Sequence, residues 1–100
     1  MKDSKNEKYR LTEFQKKVYR AILKIPLGEV RSYSWVAKKI GKPNCSRAIG
    51  NALNKNPFAP LVPCHRVVNS NGKLGGYRLG IKKKISLLSK EKYIREAIWK

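Results

Sequence analysis

Ser32-Tyr33-Ser34-Trp35-Val36-Ala37-Lys38-Lys39-Ile40-Gly41-Lys42-Pro43-Asn44-Cys45-Ser46-Arg47-Ala48-Ile49-Gly50-Asn51-Ala52-Leu53-Asn54 is the stretch on which the fold turns. Ser32 is placed to cap a helix from Tyr33 to Ile40, with Val36, Ala37 and Ile40 on one face and Gly41 to close it. Lys42-Pro43 make a turn, and Asn44 is placed to cap a further helix over about Cys45 to Asn54. In that helix Ala48, Ile49, Ala52 and Leu53 can pack inward. Two helices joined by a short Gly/Pro turn form the helix-turn-helix pattern, whose second helix is the one that meets DNA. The pattern also describes helical hairpins that bind nothing. The outward side of the second helix carries Ser46, Arg47, Gly50 and Asn51, small apart from one cation. A major-groove reader carries several Arg, Asn or Gln at base-contacting positions, so this surface fits backbone or minor-groove docking. Arg47 then either enters the base stack or is a solvated surface arginine.

Upstream, Thr12 and Gln15 match a capping box, and Phe14, Val18, Ala21, Ile22 and Ile25 recur at three- and four-residue steps. A helix therefore starts at Thr12, and Pro26 and Gly28 end it; Glu29-Val30-Arg31 is a connector. Residues 1–10 read as a flexible basic arm and residues 11–100 as a single domain. The chain has 100 residues, enough for one modest core. Its 24 Lys and Arg against 6 Asp and Glu leave a net charge of +18, which fits a polyanionic partner, nucleic acid first. Solubility charge or adsorption to an acidic membrane is the blander reading, but no long amphipathic basic face stands out. No apolar run is long enough to span a bilayer, and the polar N-terminus does not read as a signal peptide. A cytoplasmic location, or a nuclear one in a eukaryote, is expected. Cys45 and Cys64 suit a reducing compartment, although the sequence also allows one bridge between them. Two Cys and one His give no metal-ligand spacing, so neither a metal nor a cofactor is expected.

Downstream, Pro60-Leu61-Val62-Pro63-Cys64-His65-Arg66-Val67-Val68 sets a cysteine beside a histidine on a stiff turn that leads into a short strand from Arg66 to Val68. A thiol attacks as thiolate, and a cationic neighbour lowers its pKa, so Cys64 is a candidate nucleophile. The same dipeptide also reads as a core cysteine next to a hydrogen-bonded histidine. Asn69-Ser70-Asn71-Gly72 signals a tight turn, and the glycine-rich residues 73–80 read as a mobile wing or a plain loop. From Ile81 the chain is helical again, as one long helix or two joined near Ser89-Lys90. Ile81, Ile85, Leu88, Tyr93, Ile94, Ala97 and Ile98 are its candidates for burial. Lys82-Lys83-Lys84 oppose the helix dipole in its first turn and so serve other contacts, or form a solvated face.

Together these parts resemble the C-terminal DNA-binding and active-site domain of the O6-alkylguanine-DNA alkyltransferases, the methylated-DNA–protein-cysteine methyltransferases. The resemblance runs from about Thr12 to Glu91. It rests on Gly28-Glu29-Val30, Ser32-Tyr33, Ser46-Arg47-Ala48-Ile49-Gly50, Asn56-Pro57, Pro63-Cys64-His65-Arg66-Val67-Val68, Gly76-Tyr77 and Leu87-Leu88, of which Pro-Cys-His-Arg-Val is the most specific. It implies a mainly α, winged helix-turn-helix-like single domain with a short β-hairpin or wing. It also implies that Cys64 takes the alkyl group from O6 of guanine in double-stranded DNA and keeps it, so that the protein is spent in one turnover. His65 would take the thiol proton through a water, Glu91 would orient the imidazole, and Tyr33 would donate a proton to the departing base. The damaged nucleotide would be flipped out of the duplex. The helix bearing Ser46, Arg47, Ala48, Gly50 and Asn51 would lie in the minor groove, with Arg47 filling the gap. Asn56 would join that helix to the cysteine turn, Tyr77 would wall the pocket, and the carbonyls of Cys64 and Val67 would read the guanine amino group.

The sequence departs from the family in two places. Only about ten residues precede Thr12, where members usually carry an N-terminal domain, so activity would rest on this domain alone. A monomer is expected, with a separate N-terminal domain or a repair protein as the further partner this leaves room for. Arg78 and Leu79 follow Tyr77 where many members have small residues, so Arg78 closes the pocket or adds a cation near the base or a phosphate. The competing reading is a non-enzymatic alkyltransferase-like protein that binds alkylated DNA and signals to another pathway. Those relatives usually replace the acceptor cysteine by tryptophan, whereas Cys64, His65 and Glu91 are all present here. A plain winged-helix module with a structural Cys-His is the third reading, and it leaves those residues unexplained.

Overall fold

A computed structural model describes residues 10–99 of the chain, so the arm expected over residues 1–10 lies almost wholly outside the described residues. Helix α1 spans Glu13–Ile22. It starts where it does because Thr12 Oγ1 accepts from Gln15 N at 3.0 Å while Gln15 Oε1 accepts from Thr12 N at 2.9 Å. Strand β1 is Arg31–Ser32, and Ser32 also caps helix α2, Tyr33–Lys39, by accepting from Trp35 N at 3.0 Å. Helix α3 is Ser46–Asn54, followed by a 3₁₀ turn at Cys64–Arg66, strand β2 at Val67–Val68 and helix α4 at Ile81–Trp99.

The first three helices build the core. Val18, Ile22 and Ile25 meet Val36 and Ala37 of α2 and Ile49, Ala52 and Leu53 of α3, with Val62, Cys64 and Val67 closing one side. Burying each of the larger aliphatic side chains contributes about 1.5–3 kcal/mol. Tyr19 joins them and anchors α1 to α3 by donating its hydroxyl to the Ala52 carbonyl at 2.7 Å. Cys64 is thus mounted on the rim of the core. Gly28 adopts φ +84°, and a Cβ there would stand 2.6 Å from Cδ of Arg95 on α4, so this turn requires glycine.

Several expectations need correction. Asn44 does not cap α3: it sits at φ +75° in the turn, and the N-cap position belongs to Cys45, whose side chain makes no capping bond. Ala48 faces outward, because the buried stripe of α3 runs through Ile49, Ala52 and Leu53. Arg66 belongs to the 3₁₀ turn, so the strand after it is only Val67–Val68. The two-stranded sheet is not a hairpin, since β1 and β2 run parallel with Arg31 opposite Val67 and Ser32 opposite Val68. The turn after β2 does form, with Asn69 N donating to the Lys73 carbonyl at 2.9 Å, but residues 73–80 add no strand.

The region from Ile81 is one helix, and the side it turns inward is polar. Among its described side chains Lys84 and Glu91, seven residues apart and hence on one face, are the buried ones, flanked by half-buried Leu87, Leu88 and Ile94. Ile81, Ile85, Tyr93, Ala97 and Ile98 are exposed. The reason is what α4 packs against: backbone carbonyls and the charged 3₁₀ turn, which select a lysine and a glutamate over aliphatic residues. Among the described residues, no helix is long and apolar enough to cross a membrane.

Candidate functional site

Pro63 leads into the 3₁₀ turn that fixes Cys64, with Cys64 N donating to the Val62 carbonyl at 2.8 Å. Beneath it lies Asn56, buried in the turn after α3. Its amide nitrogen donates to the Val62 carbonyl at 2.9 Å and to Cys64 Sγ at 3.4 Å, and its Oδ1 accepts from Phe58 N at 2.9 Å. Both cysteines are free thiols. Burial pushes the Cys64 thiol above its ordinary range, opposed by the Asn56 bond and by the charges of Lys84 and Arg78. The expected low pKa is therefore not a property of the free protein.

His65 is buried, and its Nε2 lies 2.7 Å from Glu91 Oε2. Glu91 is in turn gripped by Arg66, whose Nε donates to Oε1 and Nη2 to Oε2, each at 2.9 Å, while Nη1 donates to the Ile25 carbonyl at 2.8 Å. Burial works to raise the Glu91 carboxyl, but the Arg66 and His65 hydrogen bonds outweigh it and the net shift is downward. Burial also holds His65 below its ordinary value despite Glu91 beside it. An ionised carboxylate facing a neutral ring accepts a hydrogen bond from Nε2–H, so the ring proton stays on Nε2 and the Nδ1 lone pair is open. Among the described residues Nδ1 has no hydrogen-bond partner, and Cys64 Sγ has no direct bond to it.

A cavity of about 240 Å³ opens over Cys64 between α2, α3 and the loop after β2. Tyr33, Tyr77, Arg78, Gly50 and Asn51 of the expected site line it, together with Leu53, Asn54 and Gly76, which sequence reasoning passed over. The Tyr77 hydroxyl is buried without a hydrogen-bond partner among the described residues, and burial pushes its pKa up to about 12. Tyr33 is raised by burial as well, so both phenols keep their protons. The cavity shares Tyr33 and Gly50 with a larger groove of about 580 Å³, lined further by Ser46, Arg47, Asn69, Ser70 and Asn71. Tyr33 and Gly50 are thus walls common to the groove on the exposed face of α3 and the cavity over the thiol.

Other expected residues sit elsewhere. His65, Glu91 and Asn56 do not line the cavity; of the three, Asn56 bonds to Cys64 Sγ, while His65 stacks edge-on against Tyr77 of the cavity wall. Val67 does not line the cavity: its side chain is in the core and its carbonyl receives Lys84 Nζ at 2.8 Å, while the Cys64 carbonyl receives Val67 N. Ala48 borders a separate hollow against α1. Lys84 and Arg66 were missed as site residues. The one usable signal was the three lysines opposing the α4 dipole, of which the third turns inward.

The model of the 6-O-methylguanine DNA methyltransferase DNA-binding domain matches residues 13–93. A methylated-DNA–protein-cysteine methyltransferase of Methanosarcina acetivorans is 55% identical over 80 residues, covering 80% of this chain and 51% of its own. A Mycobacterium tuberculosis OGT solved in complex with DNA is 52% identical with a TM-score of 0.80, covering 84% of this chain and 52% of that one. Schizosaccharomyces pombe Atl1, solved with damaged DNA containing O6-carboxymethylguanine, is 33% identical with a TM-score of 0.72, covering 82% and 78%. This chain spans about half the length of the curated relatives it matches.

Proposed function

Because the chain belongs to the 6-O-methylguanine DNA methyltransferase DNA-binding domain family, we propose that it repairs DNA by moving an alkyl group from O6 of guanine to Cys64, irreversibly and once per molecule. The observation that carries this reading is the cavity over the Cys64 thiol, which shares Tyr33 and Gly50 as walls with the groove along α3. A guanine inside a duplex cannot reach a thiol so placed, so the nucleotide rotates out and enters past Tyr33 and Gly50. Arg47, exposed at the start of α3, takes the space it leaves. Ser46, Gly50 and Asn51 let the helix come close to the minor groove, with Ala48 beside them.

The thiol proton passes to Nδ1 of His65, by way of a water, and Glu91 stabilises the imidazolium that forms. Cys64 Sγ donates an electron pair to the alkyl carbon, the C–O6 bond breaks, and its electron pair leaves with guanine. Tyr33, protonated and on the cavity wall, donates a hydrogen bond to the departing base. A thioether is a poor leaving group, so the product is final. In this reading the protein acts as a monomer on double-stranded DNA, in the cytoplasm or nucleus, without a metal or cofactor.

A second reading is binding of alkylated DNA without transfer; the likeness to Atl1, solved with damaged DNA, is what supports it. Mass spectrometry after incubation with an O6-methylguanine duplex separates the two. A gain of one methyl on the Cys64 peptide supports transfer; tight, damage-selective binding with no mass change supports the second reading.

A further inference from the structure

Among the side chains that line the Cys64 cavity, one carries a formal charge: Arg78. Its Nη1 donates to the Asn56 carbonyl at 2.8 Å. Among the described residues no carboxylate pairs with it. A guanidinium carries five N–H donors in a rigid fork, so anchoring through Nη1 leaves others for a ligand. The anchor also fixes its position relative to the nucleophile. Asn56 holds Arg78 by its carbonyl and Cys64 by its side-chain amide, which ties cation and sulfur to one buried residue. The remaining polar lining, Tyr33, Asn51, Asn54 and Tyr77, is uncharged. A forked cation on the wall of a cavity without an acidic side chain is built to meet an anion there.

We propose that the cavity accepts O6-alkylguanines whose alkyl group ends in a carboxylate, with Arg78 as the specificity-determining residue; this rests on the transfer reaction proposed above. In O6-carboxymethylguanine the carboxylate lies one bond beyond the carbon that sulfur attacks. Sγ bonds to that methylene, the C–O6 bond breaks with its electron pair staying on guanine, and the proton that left the thiol for His65 balances the one guanine takes up from Tyr33. The products are S-carboxymethyl Cys64 and unmodified guanine. Along this path two anions, thiolate and carboxylate, must close on each other, and their repulsion raises the barrier. Arg78 offsets that repulsion through a charge-assisted hydrogen bond to the carboxylate. A methyl adduct offers it nothing.

The test measures single-turnover transfer to Cys64 by mass, with duplexes carrying O6-carboxymethylguanine, its neutral isostere O6-carbamoylmethylguanine, and O6-methylguanine. Replacing Arg78→Gln is expected to lower the carboxymethyl-to-carbamoylmethyl rate ratio about tenfold or more, and Arg78→Lys to restore part of it. An unchanged ratio overturns the proposal. That includes equal loss on both duplexes, which would mark Arg78 as a contact to the DNA phosphate. A Lys variant no better than Gln overturns it too. Arg78 is exposed, so its replacement is not expected to unfold the domain, and thermal melts of both variants check this. Absence of methyl on Cys64 from the O6-methylguanine duplex would instead sink the transfer reading itself, whereas methyl transfer without charge discrimination sinks this inference alone.

Discussion

Lys84 is sealed from solvent, and its ammonium donates to the carbonyl of Val67 at 2.8 Å. It also donates to the carbonyls of Leu74 and Gly76, so one side chain of α4 ties strand β2 to the loop that carries Tyr77 and Arg78. Its burial lowers its pKa, with the Cys64 charge acting the other way. Lys84→Met keeps the length of the side chain but strands three carbonyls. Relief of the desolvation cost offsets part of that loss, so a net destabilisation of about 1–3 kcal/mol is expected. Urea unfolding measures it; an unchanged midpoint would mean that the carbonyls find other partners.

Cys64 is buried and its thiol pKa is raised, whereas Cys45 is partly exposed. Iodoacetamide at neutral pH should therefore label Cys45 ahead of Cys64 in the DNA-free protein, as read by peptide mass. Asn56→Ala removes the donor that favours the thiolate, so Cys64 labelling should then need a higher pH than in the wild type. Faster labelling of Cys64 in that variant would show that Asn56 acts mainly by shielding it.

How much of this the sequence disclosed depends on whether the controlling interaction is local. The caps Thr12 and Ser32 and the apolar steps of α1 and α2 are local, and they were legible, although α1 stops at Ile22, short of the Pro26 expected to end it. In α4 the apolar pattern pointed at Ile81, Ile85, Tyr93 and Ile98, all exposed, because the side that packs inward is chosen by carbonyls and an imidazole distant in sequence. The two-residue strands carry no alternation to read, and their pairing spans more than thirty residues. Of the site, Cys64 was read from its own turn, Tyr33 and Tyr77 were placed by resemblance and Arg78 stood out as a departure from it, and all four share one cavity. The Arg66 grip on Glu91 is a tertiary contact with no local signature.

Arg47 lies exposed on the groove face of α3. If it occupies the gap left by a flipped nucleotide, Arg47→Ala should reduce the preference for alkylated over unmodified duplex more than it reduces binding to unmodified duplex. Each phosphate contact contributes about −0.9 to the slope of log K against log salt, so the variant should lose no more than about one such unit. Fluorescence anisotropy across a salt series gives both quantities. A uniform loss on both duplexes would make Arg47 a phosphate contact only.

The pH dependence follows from His65 and Glu91. Burial lowers the His65 pKa in the folded chain below its ordinary 6.5, while Glu91 pulls it upward. Between those two values the unfolded chain binds more protons than the folded one, so stability rises with pH across that window. It is fully present above 6.5 and is lost as pH falls through the folded value. Melting temperature should accordingly drop on acidification from 6.5 down to the folded value, and less steeply in His65→Gln. If His65 is the base for transfer, the single-turnover rate should fall in the same direction, with a midpoint beneath 6.5. Glu91→Gln removes the hydrogen bond and charge that raise the His65 pKa, so its midpoint should move further down. The plateau rate should also fall, because an amide can donate to Nε2 and no longer fixes the tautomer with Nδ1 free. Rates measured from about pH 5 to about pH 8 on an O6-methylguanine duplex decide this. A midpoint that does not move in Glu91→Gln would remove His65 from the proton path.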